Sequence, residues 1–252
     1  MNSLISRIIQ SRQSDVYENL ALEECLFHSV KPIEAMLYLW QNHDAIVIGR
    51  NQDAYRECLV DSFLENHGSI ARRLSGGGAV YHDLGNLNYT FILPHHRFNI
   101  QNQLKIITTA CNDFGIFPVA NERFDLLAEG RKFSGNAFYH RKDVSLHHGT
   151  MLINSDIGKI SYYLQTQNIP ENKRSVLSTR STVLNLSDLN HQLTIPKMRE
   201  SITRSFLKIF EGDPQNDDPD SYDCRHFKNR YLSKDWTYGK LENRNERYTD
   251  EN

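Results

Sequence analysis

The chain has 252 residues, 39% hydrophobic and 24% charged, with a formal net charge of −2. That is enough apolar chain for one sizeable core, and the near-neutral balance excludes a basic field for nucleic acid. Cys25, Cys58, Cys111 and Cys224 are scattered with no C-x-x-C pair, which argues against a zinc site or a disulfide framework. No apolar run approaches a membrane span in length, so a cytoplasmic, reducing location is expected, with neither membrane nor nucleic acid as partner.

In chain order, residues 4–9 predict an edge strand. Arg7 and Arg12, with no acid before Asp15, lend this stretch a faint presequence character. The strand is preferred because Ile8-Ile9 runs straight into a capped helix. Asp15 predicts the N-cap of a helix over 16–29, with Glu18 completing a capping box. Residues 37–40 and 45–48 read as a hairpin around Gln-Asn-His-Asp. A helix near 58–66 precedes the strand that delivers Arg72 and Arg73. Residues 87–93 form a strand stopped by Pro94, and 101–114 an amphipathic helix ended by Gly115. Short strands follow near 125–128, 132–140 and 146–154, then a helix over 157–165. A polar loop over 166–182 carries Lys173, Arg174 and Arg180. Thr194 caps a last long helix with Pro196 in its first turn, running to Phe210 and closed by Gly212. Interspersed helices and hairpins predict an α+β fold with a mostly antiparallel sheet packed with helices. One domain is expected over 1–212, followed by an acidic, charged extension over 213–252.

Residues 72–86 read Arg-Arg-Leu-Ser-Gly-Gly-Gly-Ala-Val-Tyr-His-Asp-Leu-Gly-Asn. Three glycines between strand-like stretches imply positive φ or a close approach. Their N–H groups form a concavity suited to a carboxylate or phosphate, and Arg72 and Arg73 at its rim offer planar donors to the same anion. No Lys-Ser or Lys-Thr follows, which excludes the P-loop, and no helix follows, which excludes the dinucleotide fingerprint. A strand–loop–strand anion site remains, beside the plain alternative of a glycine-rich turn with a surface arginine pair.

With these segments placed, the sequence resembles the catalytic domain of lipoate–protein ligase A and the related lipoyltransferases. The resemblance is carried by residues 71–86, by Gly130-Arg131-Lys132-Phe133-Ser134-Gly135-Asn136-Ala137, and by His147-His148-Gly149-Thr150-Met151-Leu152. Weaker echoes lie at residues 19–24, 39–42, 47–52 and 178–186. It implies a fold shared with class II aminoacyl-tRNA synthetases and biotin protein ligases. It also implies two steps: lipoate and ATP give lipoyl-AMP and pyrophosphate, and the lipoyl group then passes to a carrier lysine. The implied carriers are lipoyl domains of 2-oxoacid dehydrogenase complexes and the glycine-cleavage H protein.

Such chemistry must align two anions and spread the charge of the transition state. By resemblance Lys132 is the catalytic residue, contacting both the carboxyl oxygen and the phosphate. Arg73, Ser75, Gly77, Gly78, Ala79, Val80 and Tyr81 hold ATP and lipoyl-AMP, with His82, Asn86 and Asp125 beside them. Gly76 and Gly77 serve the turn and the close approach. Asp125 is the implied Mg²⁺ contact. Trp40, Gly135, Ala137, His148 and Gly149 line the lipoyl pocket, with Val47 and Leu152 as further candidates. The His95-His96 and His147-His148 pairs make no chelate, because neighbours on a strand face opposite ways.

The pattern also departs from the family. Phe124-Asp125 replaces the usual Asn-Asp, which removes an amide contact to the ligand. Octanoyltransferases use an acyl-cysteine, whereas residues 119–122 hold no cysteine and Cys111 falls within a predicted helix. A biotin-type ligase would carry Gly-Arg-Gly-Arg, and a non-catalytic lipoyl-binding module would lack Lys132. Many members continue past the segment matching Trp236-Thr237-Tyr238-Gly239-Lys240 into an accessory domain; here a charged stretch, 241–252, follows. Three outcomes stay open: unaided adenylation, adenylation with a separate accessory subunit, or transfer from lipoyl-AMP supplied elsewhere.

Overall fold

The structure is a computed structural model and describes residues 4–165 and 175–239. β1 (Ile5–Gln10) leads into α1 (Val16–Ser29), then β2 (Glu34–Trp40) and β3 (Ala45–Ile48). Two short helices, α2 (Ala54–Glu57) and α3 (Val60–Glu65), precede β4 (Ser69–Arg72). β5 (Val80–His82) and β6 (Asn86–Pro94) come before α4 (Ile100–Asn112). β7 (Val119–Ala120), β8 (Leu126–Ala128), β9 (Arg131–Ser134), β10 (Asn136–His140) and β11 (Val144–Leu152) follow in succession. The described chain closes with α5 (Ile157–Tyr163), α6 (Ile195–Phe210), β12 (Asp213–Asp217), α7 (Arg225–Leu232) and α8 (Lys234–Tyr238).

Six strands in the order β10-β11-β6-β2-β1-β12 form the main sheet, antiparallel from β10 to β2 and parallel from β2 to β12. Two three-stranded sheets, β4-β3-β5 and β7-β8-β9, stand beside it. All seven residues of β2 are buried. Both faces of the sheet are covered: Leu37 and Leu39 join α4 and α6 in one core, while Met36, Tyr38 and Trp40 join α1 in another. Each such apolar side chain contributes about 2 kcal/mol by leaving water.

The caps follow the sequence. Asp15 accepts the amides of Tyr17 and Glu18 to start α1, but Glu18 pairs with Lys228 rather than closing a capping box. Thr194 caps α6, and its C-terminal turn falls on Glu211, in the left-handed region at φ 49°, one residue before the expected Gly212.

Long-range pairing overrides several local readings. β1 is not an edge, since it pairs with β2 on one side and β12 on the other. β2 and β3 form no hairpin; they belong to different sheets. The strand expected over 132–140 breaks at Gly135 into β9 and β10, again in different sheets. The boundary expected at residue 212 has no counterpart in the packing. β12 extends the main sheet, Arg7 Nη1 meets Asp217 at 2.7 Å, and α7 packs on α1. Among the described residues no helix is long and apolar enough to cross a membrane. Lys173, Arg174 and the 241–252 stretch lie outside the described residues.

Candidate active site

The glycine loop joins β4 to β5, which flank β3 on opposite sides, so it crosses the end of β3 instead of turning between neighbours. Gly49, just past β3, lies beneath it, and a Cβ there would sit 2.2 Å from Gly77 O. Gly77 itself needs a positive φ of 84°, and a Cβ on Gly78 would meet Ser178 Oγ at 2.9 Å. Gly76 has neither constraint, contrary to the expectation for it.

The two arginines are buried props, not rim donors. Arg73 donates to Val47 O (2.9 Å), Gly76 O (2.6 Å), Gly78 O (2.8 Å) and Ser75 Oγ (3.0 Å). Arg72 donates to the carbonyls of Gly49, Arg50, Gln52 and Thr237. The Arg73 fork thus closes the glycine loop by satisfying its inward carbonyls, while Arg72 ties the 49–52 segment to the end of α8. Burial pulls the Arg73 pKa down to about 10, opposed by the charge of Glu23.

Two cavities meet at this loop, one of about 360 Å³ and one of about 270 Å³. The larger is lined by Leu20, Trp40, Val47, Ala137 and His148. The smaller is lined by Tyr81, Leu152, Ile160, Leu164 and Arg180. Lys132, Ala79, Val80 and Gly135 belong to both walls. Lys132 Nζ is 2.8 Å from Asp125 Oδ1, and its backbone is pinned by Thr182 O (2.9 Å) and Leu184 N (3.0 Å). The lysine therefore stands in the partition, half-exposed, with a carboxylate behind it.

Of the residues singled out from sequence, Trp40, Arg73, Gly77, Gly78, His82, Asp125, Ala137, His148 and Gly149 also reach the larger cavity, and Tyr81 the smaller. Ser75 and Asn86 line neither; each is one hydrogen bond away, through His148 (2.7 Å) and Asn88 (2.9 Å). Ser75 Oγ, His148 and Glu23 follow the bonding order of a hydrolase triad, with His148 Nδ1 2.9 Å from Glu23 Oε1. Ser75 is 1% exposed, so its hydroxyl braces the imidazole and offers no nucleophile. Thr90 Oγ1 donates to the same Glu23 oxygen and accepts from Trp40 Nε1, so the deep wall is one connected network.

Burial holds His82 down to about 3, and Asn42 Nδ2 donates to its Nδ1, so it stays neutral. His147 and His148 face opposite sides of β11: His147 meets Gln103 and Asn136, and burial pulls it down to about 3. Cys111 lines neither cavity, and burial pushes its thiol up to about 12, far from a thiolate nucleophile.

Sequence reasoning passed over Glu57, Gln52 and Ser178 as site residues. Ser178 Oγ accepts from the Ala79 amide (2.8 Å) and Gln52 Nε2 (3.0 Å) and donates to the buried Glu57 carboxylate. The Ala79 amide, expected to face an anion, is here bonded to that hydroxyl. The signal in the sequence was the weaker echo over 178–186, which begins at Ser178.

The model for "Lipoyl protein ligase A/B catalytic domain" matches residues 15–207. A lipoate-protein ligase A of Bdellovibrio bacteriovorus is 36% identical over 210 residues, covering 82% of this chain. The chain spans 62% of that relative's length. Among solved structures, P. falciparum LipL1 in complex with lipoate is similar at 30% identity, with a TM-score of 0.79, over 93% of this chain and 74% of its own. A bipartite lipoate protein ligase of Thermoplasma acidophilum, described with its E2 lipoyl domain, matches at 25% identity and TM-score 0.78 over 94% of this chain and 97% of its own.

Proposed function

Because the chain belongs to the lipoyl protein ligase A/B catalytic-domain family, we propose that it joins lipoate to a carrier lysine through lipoyl-AMP made from lipoate and ATP. The observation that carries this reading is the position of Lys132 in the wall common to two cavities. The larger, with Leu20, Trp40, Val47 and Ala137, suits an acyl chain; the smaller, with Tyr81, Ile160 and Arg180, suits a nucleotide. On this reading the acyl-phosphate lies at their junction, beside the ammonium.

In the first step Lys132 neutralises the attacking carboxylate and the α-phosphate it approaches, which are otherwise mutually repulsive. In the second it draws charge from the carbonyl oxygen as the carrier amine adds. The glycine loop is held rigid by Arg73 before substrate arrives. Mg²⁺ would enter with the ATP phosphates and offset their charge. Asp125 is the carboxylate of the larger cavity, but it is already paired with Lys132. Among the described residues no group of three acidic, histidine or cysteine side chains gathers to hold a metal alone. Phosphates and water must therefore supply most ligands, as Mg²⁺ ordinarily allows.

The carriers are proposed to be lipoyl domains of 2-oxoacid dehydrogenase complexes or the glycine-cleavage H protein. The test incubates the purified chain with lipoate, ATP·Mg²⁺ and a lipoyl domain, beside a reaction given lipoyl-AMP. A mass gain of the carrier in both arms supports a complete ligase. Gain from lipoyl-AMP alone makes it a lipoyltransferase that relies on an accessory subunit or supplied adenylate. Gain in neither contradicts the proposal.

A further inference from the structure

The Lys132 side chain is long and flexible, so for acyl-phosphate chemistry its ammonium must be held at the cavity junction and not released to solvent. Among the described residues its carboxylate partner is Asp125, through Oδ1 at 2.8 Å. The other oxygen, Oδ2, accepts from Asn121 Nδ2 at 3.2 Å, with the exposed Arg123 Nε at 4.0 Å.

Asn121 does more than touch that oxygen. Its Oδ1 accepts the amides of Arg123 and Asp125, both at 2.9 Å. Its backbone N–H donates to Asp125 O (3.0 Å), and its carbonyl accepts from Phe124 N (2.9 Å). Those bonds define a tight turn that puts Phe124 at φ 64°, a conformation costly for a bulky side chain. They also fix the amide's orientation: with Oδ1 committed to two donors, Nδ2 must face the carboxylate. Asn121 lines neither cavity.

Resting on the reading of Lys132 as the acyl-phosphate lysine, we infer that Asn121 is a positioning residue for the transfer chemistry, setting the rotamer of Asp125 and, through it, the place of the Lys132 ammonium.

Asn121→Asp separates the two duties. It keeps an oxygen for the two backbone amides but replaces the donor facing Asp125 with a like charge. With lipoate, ATP·Mg²⁺ and a lipoyl domain, kcat should fall about tenfold while KM for lipoate and ATP stays within about twofold. In an Asp125→Ala background the same change should alter kcat less than about twofold, since the relay is already cut. An unchanged kcat in N121D, or an equal loss in both backgrounds, overturns the assignment. If N121D does not fold, Asn121→Ser, whose hydroxyl accepts the same amides, is assayed instead with the same expectations. Failure of the underlying reading looks different: Lys132→Ala would then retain full activity whatever Asn121 does.

Discussion

At the scale of single residues, direction decides role. Arg72, Arg73 and Lys132 are all cations near the glycine loop, yet only the lysine stands in the partition between cavities; the arginines face carbonyls of their own chain. The sequence places all three by motif and says nothing of where they point. That depends on the loop at 49–52 and the helix end at 236–237, which meet only in the folded chain. Cysteine chemistry is a residue-scale alternative with a clear test. Cys111 is buried in α4 with its thiol pushed up to about 12, so Cys111→Ala should retain transfer within about twofold in the carrier-modification assay. Loss of transfer would revive the acyl-cysteine route.

At the scale of elements, local signals held where chemistry is local. α1 and α6 start at Asp15 and Thr194 because capping is decided within four residues. Sheet membership is decided elsewhere. β2 and β3 look like a hairpin until β2 pairs with β6, some fifty residues later, and β3 with β4. The acidic segment 213–217 lacks strand character, yet it pairs in parallel with β1 as an edge that tolerates Pro214. The split between β9 and β10 has a functional consequence. It occurs at Gly135, where a Cβ would sit 2.9 Å from Lys132 Nζ and 3.0 Å from its Cε. Gly135→Ala should therefore leave the fold intact but displace the ammonium, lowering kcat about 10- to 100-fold. A variant with wild-type kcat would mean that the ammonium tolerates displacement.

For the whole molecule, two neutral histidines inside the core make stability sensitive to acid. Burial first, then neighbouring positive charge, holds His82 and His147 near 3 against the ordinary 6.5. The unfolded chain binds those protons below pH 6.5 and the folded one does not. Their contribution is therefore complete above 6.5 and is lost as pH falls toward 3. At pH 5 each costs about 2 kcal/mol. Urea unfolding at pH 7 and pH 5 should show a smaller drop for His147→Gln than for wild type, by about that amount. Equal drops would contradict neutral burial. The described C-terminal segments are tied to the glycine-loop strand: Trp236 Nε1 donates to Arg72 O at 2.8 Å, and Arg72 returns bonds to the carbonyls of Trp236 and Thr237.

The most direct measurement gives Lys132→Ala protein preformed lipoyl-AMP and a lipoyl domain and follows carrier mass in a single turnover, with thermal unfolding run alongside. If one ammonium serves the acyl-phosphate in both steps, modification should fall by at least about a hundredfold while the unfolding midpoint stays near wild type. A rate matching the unaltered protein would show that the group at the meeting point of the cavities takes no part in the reaction.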